Sequence, residues 1–137
     1  VTERPILLDT CAALWLAAGE MKSPALDEVR STLSAGTSVL VSPITAWEVG
    51  VLVSKRRIAL AMPVLTWFEA LVGAGIDRAE LSPAVLVAAT ELNAPGLRDP
   101  ADRIIAATAR AFHYRLMTRD RPLLEFAAAG HASAIAC

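Results

Sequence analysis

The sequence holds only two cysteines and two histidines, and neither pair has the spacing of a metal site. Cys11 and Cys137 need not bond to each other, so a reduced, cytoplasmic setting is expected. His113 and His131 have no ligand spacing and neither is placed as a general base. A glycine-rich phosphate loop and a serine or cysteine nucleophile motif are also missing. No uninterrupted apolar run reaches the ~18 residues that a membrane-spanning helix needs. The nearest candidate, 39–53, is broken by Pro43 and Glu48. Without a basic leader and a small-residue cleavage site, export is not expected. Thirteen Lys and Arg stand against fourteen Asp and Glu, a net charge of −1. No global basic field therefore draws in a polyanion, and any such binding rests on local clusters.

What is present is apolar. Hydrophobic residues make up 55% of the 137 positions, and the mean hydropathy is +0.48. No repeat, low-complexity tract or composition break marks a linker, so one domain over 1–137 is expected, with a real core. The excess apolarity predicts a packed interface with another copy or a partner protein.

Along the chain, "PILLD" (5–9) reads as a short buried strand ending on an acid. "TCAALWLAAGE" (10–20) has helix character, with Thr10 as its cap. "SPALDEVRSTLSAG" (23–36) is a helix capped by Ser23, with Pro24 at its first position and Gly36 at its end. "TSVLVSP" (37–43) is a β-branched strand, and 44–57 a helix that turns basic at its end. A helix follows over 63–75, then a short strand over 76–81. A Ser-Pro helix start opens 82–93. Residues 100–114 form a helix, 115–119 a strand, 121–130 a last helix and 133–137 a final short strand. This alternation predicts an α/β/α sandwich around a mostly parallel sheet of about five strands. Ligands bind such sheets at the carboxyl ends of the strands, so the acids that follow strands matter first.

Asp9 ends the first strand directly before a helix. It is either an N-cap or, if Thr10 caps instead, free to point into the crevice. Glu48 is the only charged residue between Ser42 and Ser54. A lone carboxylate in such an apolar helix costs several kcal/mol or takes up a proton unless it is paired or bound to metal. In "RDPADRIIAATAR" (98–110), Pro100 fits the first helical position, which makes Asp99 the cap. Asp102 then resembles the far member of a capping box. Its same-face neighbours, Ala106 and Ala109, are small enough to let other elements approach. Asp120 follows the strand "LMTR" as Asp9 follows "ILL".

Asp9, Glu48, Asp102 and Asp120 can thus converge at one end of the sheet. Two unit charges 4 Å apart interact by about 4 kcal/mol at an effective dielectric of 20. Four carboxylates together require protons or a cation, and an all-oxygen site selects Mg²⁺ or Mn²⁺. The matching chemistry is phosphodiester hydrolysis.

At these residues the chain resembles the PIN-domain family, and within it the VapC-type toxins of toxin–antitoxin pairs. The matching stretches are "LLDTCAALWL" (7–16), "VSPITAWEVGVLVSKRRIAL" (41–60) and "RDPADRIIAATARAFHYRLMTRDRPL" (98–123), in family order and spanning nearly the whole chain. The resemblance implies a PIN-like fold in which Asp9, Glu48, Asp102 and Asp120 are the metal-binding, catalytic acids. It makes Thr118, in "TRD", a supporting hydroxyl beside the metal, and leaves Asp99 in the motif as a cap. It implies Mg²⁺- or Mn²⁺-dependent endoribonuclease activity on structured RNA such as tRNA or ribosomal RNA. It further implies a homodimer and inhibition by a cognate VapB antitoxin. "SKRR" (54–57) departs from the family, whose members often carry glycine before the second basic residue, and this bears on local turn geometry.

Lys55, Arg56 and Arg57 follow the Glu48 helix, while Arg98, Arg103, Arg119 and Arg121 flank the last two acids. Together they ring the proposed site, and as a group they are expected to hold RNA phosphates. Trp15, Trp47 and Trp67 lie in apolar helices and read as core or dimer contacts rather than base-stacking platforms. Two other readings stay open. One is a Mg²⁺ phosphatase with Asp9 as nucleophile, although the second aspartate of such enzymes, two residues on, is Cys11 here. The other is a non-enzymatic, receiver-like interaction module with an acidic pocket.

Overall fold

The computed structural model describes residues 4–137. Its strands are β1 (Ile6–Leu8), β2 (Val39–Val41), β3 (Asp77–Arg78), β4 (Arg115–Thr118) and β5 (Ser133–Ala136). They pair in the order β3-β2-β1-β4-β5, and every pairing is parallel. Between them run α1 (Thr10–Ala18), α2 (Ala25–Ser34), α3 (Ile44–Ser54), α4 (Val64–Gly73), α5 (Pro83–Glu91), α6 (Pro100–Phe112) and α7 (Arg121–Phe126). The expected sandwich and its five strands are there, with the sheet wholly parallel.

A parallel sheet needs cover on both faces, and β1 shows how the sequence supplies it. Ile6 and Leu8 enter one hydrophobic cluster and Leu7 the other, following the two-residue alternation of a strand. Ala12 of α1, Val29 of α2, Val49 of α3 and Phe68 of α4 cover the first face. Ile105 and Ala109 of α6 and Leu123 of α7 cover the second. Outside α6 lies α5, whose Val85 and Ala89 pack on Ala107. The chain moves from β1 through β2 to β3 on one side, then returns to lay β4 on the other. That reversal makes the gap between the carboxyl ends of β1 and β4 the crevice of the fold.

Several helix boundaries differ from the sequence reading. Thr10 is not the cap of α1: Asp9 is, accepting the Ala12 N–H, and Thr10 is the first helical residue. Pro24, not Ser23, occupies the cap position of α2, without a side-chain bond. The last helix stops at Phe126 rather than 130, and a π turn, Ala127–His131, follows, broken at Gly130 with φ +91. Ser82 and Asp99 cap α5 and α6 as expected, each followed by proline at the first position.

The helix α3 ends at Ser54, ahead of the basic run. Arg56 takes φ +57. Its N–H reaches the Val53 carbonyl, and the Arg57 N–H reaches back to Leu52. This pair of bonds is the Schellman ending, which favours glycine at the left-handed position. The departure at "SKRR" therefore places an arginine in a conformation that suits glycine.

Candidate metal centre

Asp9 leaves β1 at the crevice and is only 4% exposed. Both of its carboxylate oxygens are occupied: Oδ1 accepts the Ala12 N–H at 2.8 Å, and Oδ2 accepts the Thr118 hydroxyl at 2.5 Å. The pairing of Leu8 with Met117 sets Asp9 beside Thr118. Thr118 Oγ1 in turn accepts the Asp120 N–H at 2.9 Å. Asp120, half-buried, caps α7 through the Leu123 N–H at 3.3 Å. One threonine thus ties together the two acids at the ends of β1 and β4.

Across the crevice, Glu48 is half-buried on α3, one turn beyond Thr45. The Thr10 hydroxyl donates to Glu48 Oε1, and the Thr10 and Thr45 hydroxyls are hydrogen-bonded at 3.2 Å. Asp99 Oδ1 accepts the Asp102 N–H at 3.1 Å, which fixes the first turn of α6. Carboxylate oxygens of Glu48, Asp99 and Asp102 lie within 4.8 Å of one another. Asp9 and Asp120 lie outside that trio, but their charges act on Asp102 and Glu48.

The electrostatics follow from this crowding. Burial, then repulsion from Asp99, Asp120, Glu48 and Asp9, pushes the Asp102 carboxyl up to about 8. Burial also raises Glu48, against the Thr10 hydrogen bond, with Asp99, Asp9 and Asp120 adding to the rise. Asp9 is raised by burial and by Asp120, while its bonds to Thr118 and Ala12 pull the other way. Among the described residues, no Lys or Arg forms an ion pair with any of these acids. A donor set made only of carboxylate oxygens, left uncompensated by the protein, fits a hard divalent cation.

The basic residues separate into two kinds. Lys55, Arg56, Arg57, Arg98, Arg119 and Arg121 are exposed. Arg103, expected among the phosphate-holding cations, is half-buried and spends its donors inside the chain. Its Nε donates to the Ala89 carbonyl at 2.9 Å, and its terminal nitrogens donate to Ala94, Leu97 and Leu92 at 3.2, 2.8 and 2.9 Å. It fastens the irregular segment between α5 and α6.

The tryptophans also divide: Trp67 is in the core, Trp15 is half-buried, and Trp47 is 59% exposed on α3, outside the core of this chain. His131 stacks on Phe126 at 5.0 Å, and His113 ends α6 in the left-handed conformation. The sequence does not by itself reveal Thr10 and Thr45 as partners of Glu48, or Asp99 as a member of the carboxylate trio. The position of Thr10 directly after Asp9, at the start of α1, was the available signal.

Residues 6–129 match the family model described as PIN domain. Ribonuclease VapC22 of Mycobacterium tuberculosis (strain ATCC 25618 / H37Rv) is 34% identical over 119 residues, covering 86% of this chain and 88% of that protein. In fold, the chain is similar to a crystal structure of VapBC2 from Rickettsia felis bound to a DNA fragment from their promoter. That likeness has a TM-score of 0.70 and 16% identity, over 96% of this chain and 98% of the other.

Proposed function

We propose, from the premise that the chain belongs to the PIN-domain family, that it is the endoribonuclease toxin of a VapBC-type toxin–antitoxin pair. The observation that carries this reading is the carboxylate trio of Glu48, Asp99 and Asp102, in a chain 34% identical to a ribonuclease. Asp9, Glu48, Asp102 and Asp120 are the metal-binding, catalytic acids in this proposal, with Thr118 and Asp99 in support. A Mg²⁺ or Mn²⁺ ion held there supplies charge neutralisation at the scissile phosphate and activation of water.

The chain's own residues set the stage for that ion. Thr118 and the Ala12 N–H hold Asp9 in one orientation. Thr10 and Thr45 orient Glu48 from the opposite wall. Asp99, by capping α6, aims Asp102 into the crevice, where Asp102, raised to about 8 by burial and its carboxylate neighbours, would help to hold a cation in place of its proton. The exposed Lys55, Arg56, Arg57, Arg98, Arg119 and Arg121 offset the carboxylates for an approaching polyanion.

The substrate proposed is structured RNA, tRNA or ribosomal RNA, and the inhibitor a VapB antitoxin. The exposed Trp47, Leu86 and Val87 favour a homodimer as the state of the free toxin. Among the described residues, no helix is long and apolar enough to cross a membrane, and we place the protein in the cytoplasm. A phosphatase using Asp9 as nucleophile is disfavoured, because both oxygens of that carboxylate accept hydrogen bonds in a buried corner.

The test is cleavage of total RNA by antitoxin-free protein with Mg²⁺ or Mn²⁺, with chelator, and with Asp102→Asn. Cleavage that chelator and Asp102→Asn both abolish is expected. Equal cleavage by wild type and variant would reject the site.

A further inference from the structure

Beside the acidic crevice lies a second recess of about 450 Å³, lined by Trp15, Glu20, Lys22, Pro24, Arg119 and Cys137 among others. Arg119 lies between Thr118, which bonds to Asp9, and Asp120. Its guanidinium sits over the Trp15 ring, 4.3 Å from the centroid, a cation–π arrangement. Among the described residues that guanidinium has no hydrogen-bond or ion-pair partner, although the side chain is exposed. The indole therefore fixes a planar cation whose donors stay unspent.

We propose that this recess is a nucleotide subsite of the enzyme. An unpaired base of the RNA stacks on the face of Arg119 turned away from Trp15, and its phosphate is met by Arg119 and Lys22. The proposal rests on the nuclease reading above and adds to it where the substrate strand lies. Guanidinium planes are stacking surfaces for splayed-out RNA bases, and Arg offers phosphate-matched donors at the same time. Trp15 is six residues beyond Asp9 on the helix that Asp9 caps. That is about 9 Å along its axis, two to three nucleotides of stacked strand at roughly 3.4 Å each. Glu20 is the one acid lining the recess and Lys22 and Arg119 the two cations, so the balance favours an anion. Trp15 is thus a positioning residue, acting through Arg119.

The test uses full-length protein carrying Asp102→Asn, so that RNA binds without being cut. The probes are short single-stranded oligoribonucleotides with one fluorescent adenine analogue stepped along the strand. Quenching at one register is expected. Arg119→Gln is expected to weaken binding on the order of tenfold and remove the quenching, with Arg119→Lys restoring affinity but not quenching. In otherwise wild-type protein, Arg119→Gln is expected to raise KM with kcat little changed, and to relax the base preference two to three nucleotides from the cut. Unchanged KM and base preference in Arg119→Gln, with normal metal-dependent cleavage, overturns the subsite and leaves the nuclease standing. Failure of the unsubstituted protein to cleave any RNA overturns both. Trp15→Phe is expected to fall between wild type and Arg119→Gln, and an effect equal to wild type overturns the role given to the indole.

Discussion

Asp9 and Asp102 are both carboxylates at the carboxyl end of one sheet, and they are held in opposite ways. Asp9 is buried, with both oxygens hydrogen-bonded to groups of its own chain. Asp102 is half-buried, and what surrounds it is other carboxylates: Asp99, Asp120, Glu48 and Asp9. The Asp9 corner has its hydrogen bonds complete without a ligand, whereas the Asp102 corner is incomplete without a proton or a cation. The difference separates the acid whose orientation the chain already fixes from the acid whose charge it leaves uncompensated.

The largest expected effect lies at the incomplete corner. Loss of an indirect partner of a metal site costs 10–100-fold, so Asp102→Asn is expected to lower RNA cleavage by more than about 100-fold. The same variant has a signature in stability. The folded state raises Asp102 from 3.8 to about 8, so between those values it holds a proton that the unfolded chain has released. Metal-free stability therefore falls as pH rises from about 4 to about 8, and levels off above. Melting curves across that range are expected to show the slope in wild type, and to show it flattened by Asp102→Asn or by saturating Mg²⁺ or Mn²⁺. Glu48 and Asp9, also raised, leave a residual slope in the variant, but a slope that neither change reduces would place the titrating group elsewhere.

At the complete corner the effect is smaller and of another kind. Thr118→Val leaves Asp9 Oδ2 buried without its donor, at a cost of about 1–3 kcal/mol, and is expected to lower cleavage 10–100-fold through Asp9. Thr10→Val removes the donor to Glu48, which is more exposed than Asp9 and open to water as a substitute. Its stability loss is expected to be the lesser of the two. Denaturant unfolding of both variants decides the point, and equal losses would erase the contrast between the two walls.

How much of this was legible follows the range of the interactions. The strand β1, the caps Ser82 and Asp99 and the apolar isolation of Glu48 are local features, written in neighbouring residues. So was the meeting of Asp9 with Asp120, once alternating elements implied a parallel sheet. The Thr10–Thr45 contact joins residues 35 apart and exists only because α1 packs near α3, which no spacing encodes. The bracing role of Arg103 is hidden from the sequence for a related reason. Its partners are backbone carbonyls in an irregular segment, and composition does not show which carbonyls a fold leaves unpaired.

That bracing role divides the cations as the carboxylates are divided. Arg103→Lys is expected to destabilise the fold by about 2 kcal/mol, because one ammonium replaces a fork spanning four carbonyls. It should leave the salt dependence of RNA binding unchanged. Neutralising Lys55, Arg56 and Arg57 together is expected to do the reverse, lowering the slope of log K against log salt by about 2 if all three meet phosphates. Binding measured over a salt series in the Asp102→Asn background separates the two. An unaltered slope in the triple variant would remove that run from the RNA path.

The smallest expected effect is at the end of α3. Helices α1 and α3 close with the same pair of backbone bonds, but α1 does so through Gly19 at φ +71 and α3 through Arg56 at φ +57. A non-glycine residue in the left-handed region costs roughly 1–2 kcal/mol. Glycine removes that cost but gives back about 0.5–1 kcal/mol in lost chain freedom. Arg56→Gly is therefore expected to stabilise the protein by about 0.5–1 kcal/mol, a rise of a few degrees in Tm. No Cβ is lost from the core, since Arg56 is exposed. A fall in Tm would mean that the arginine side chain makes a contact worth more than the strain it imposes on the helix that carries Glu48.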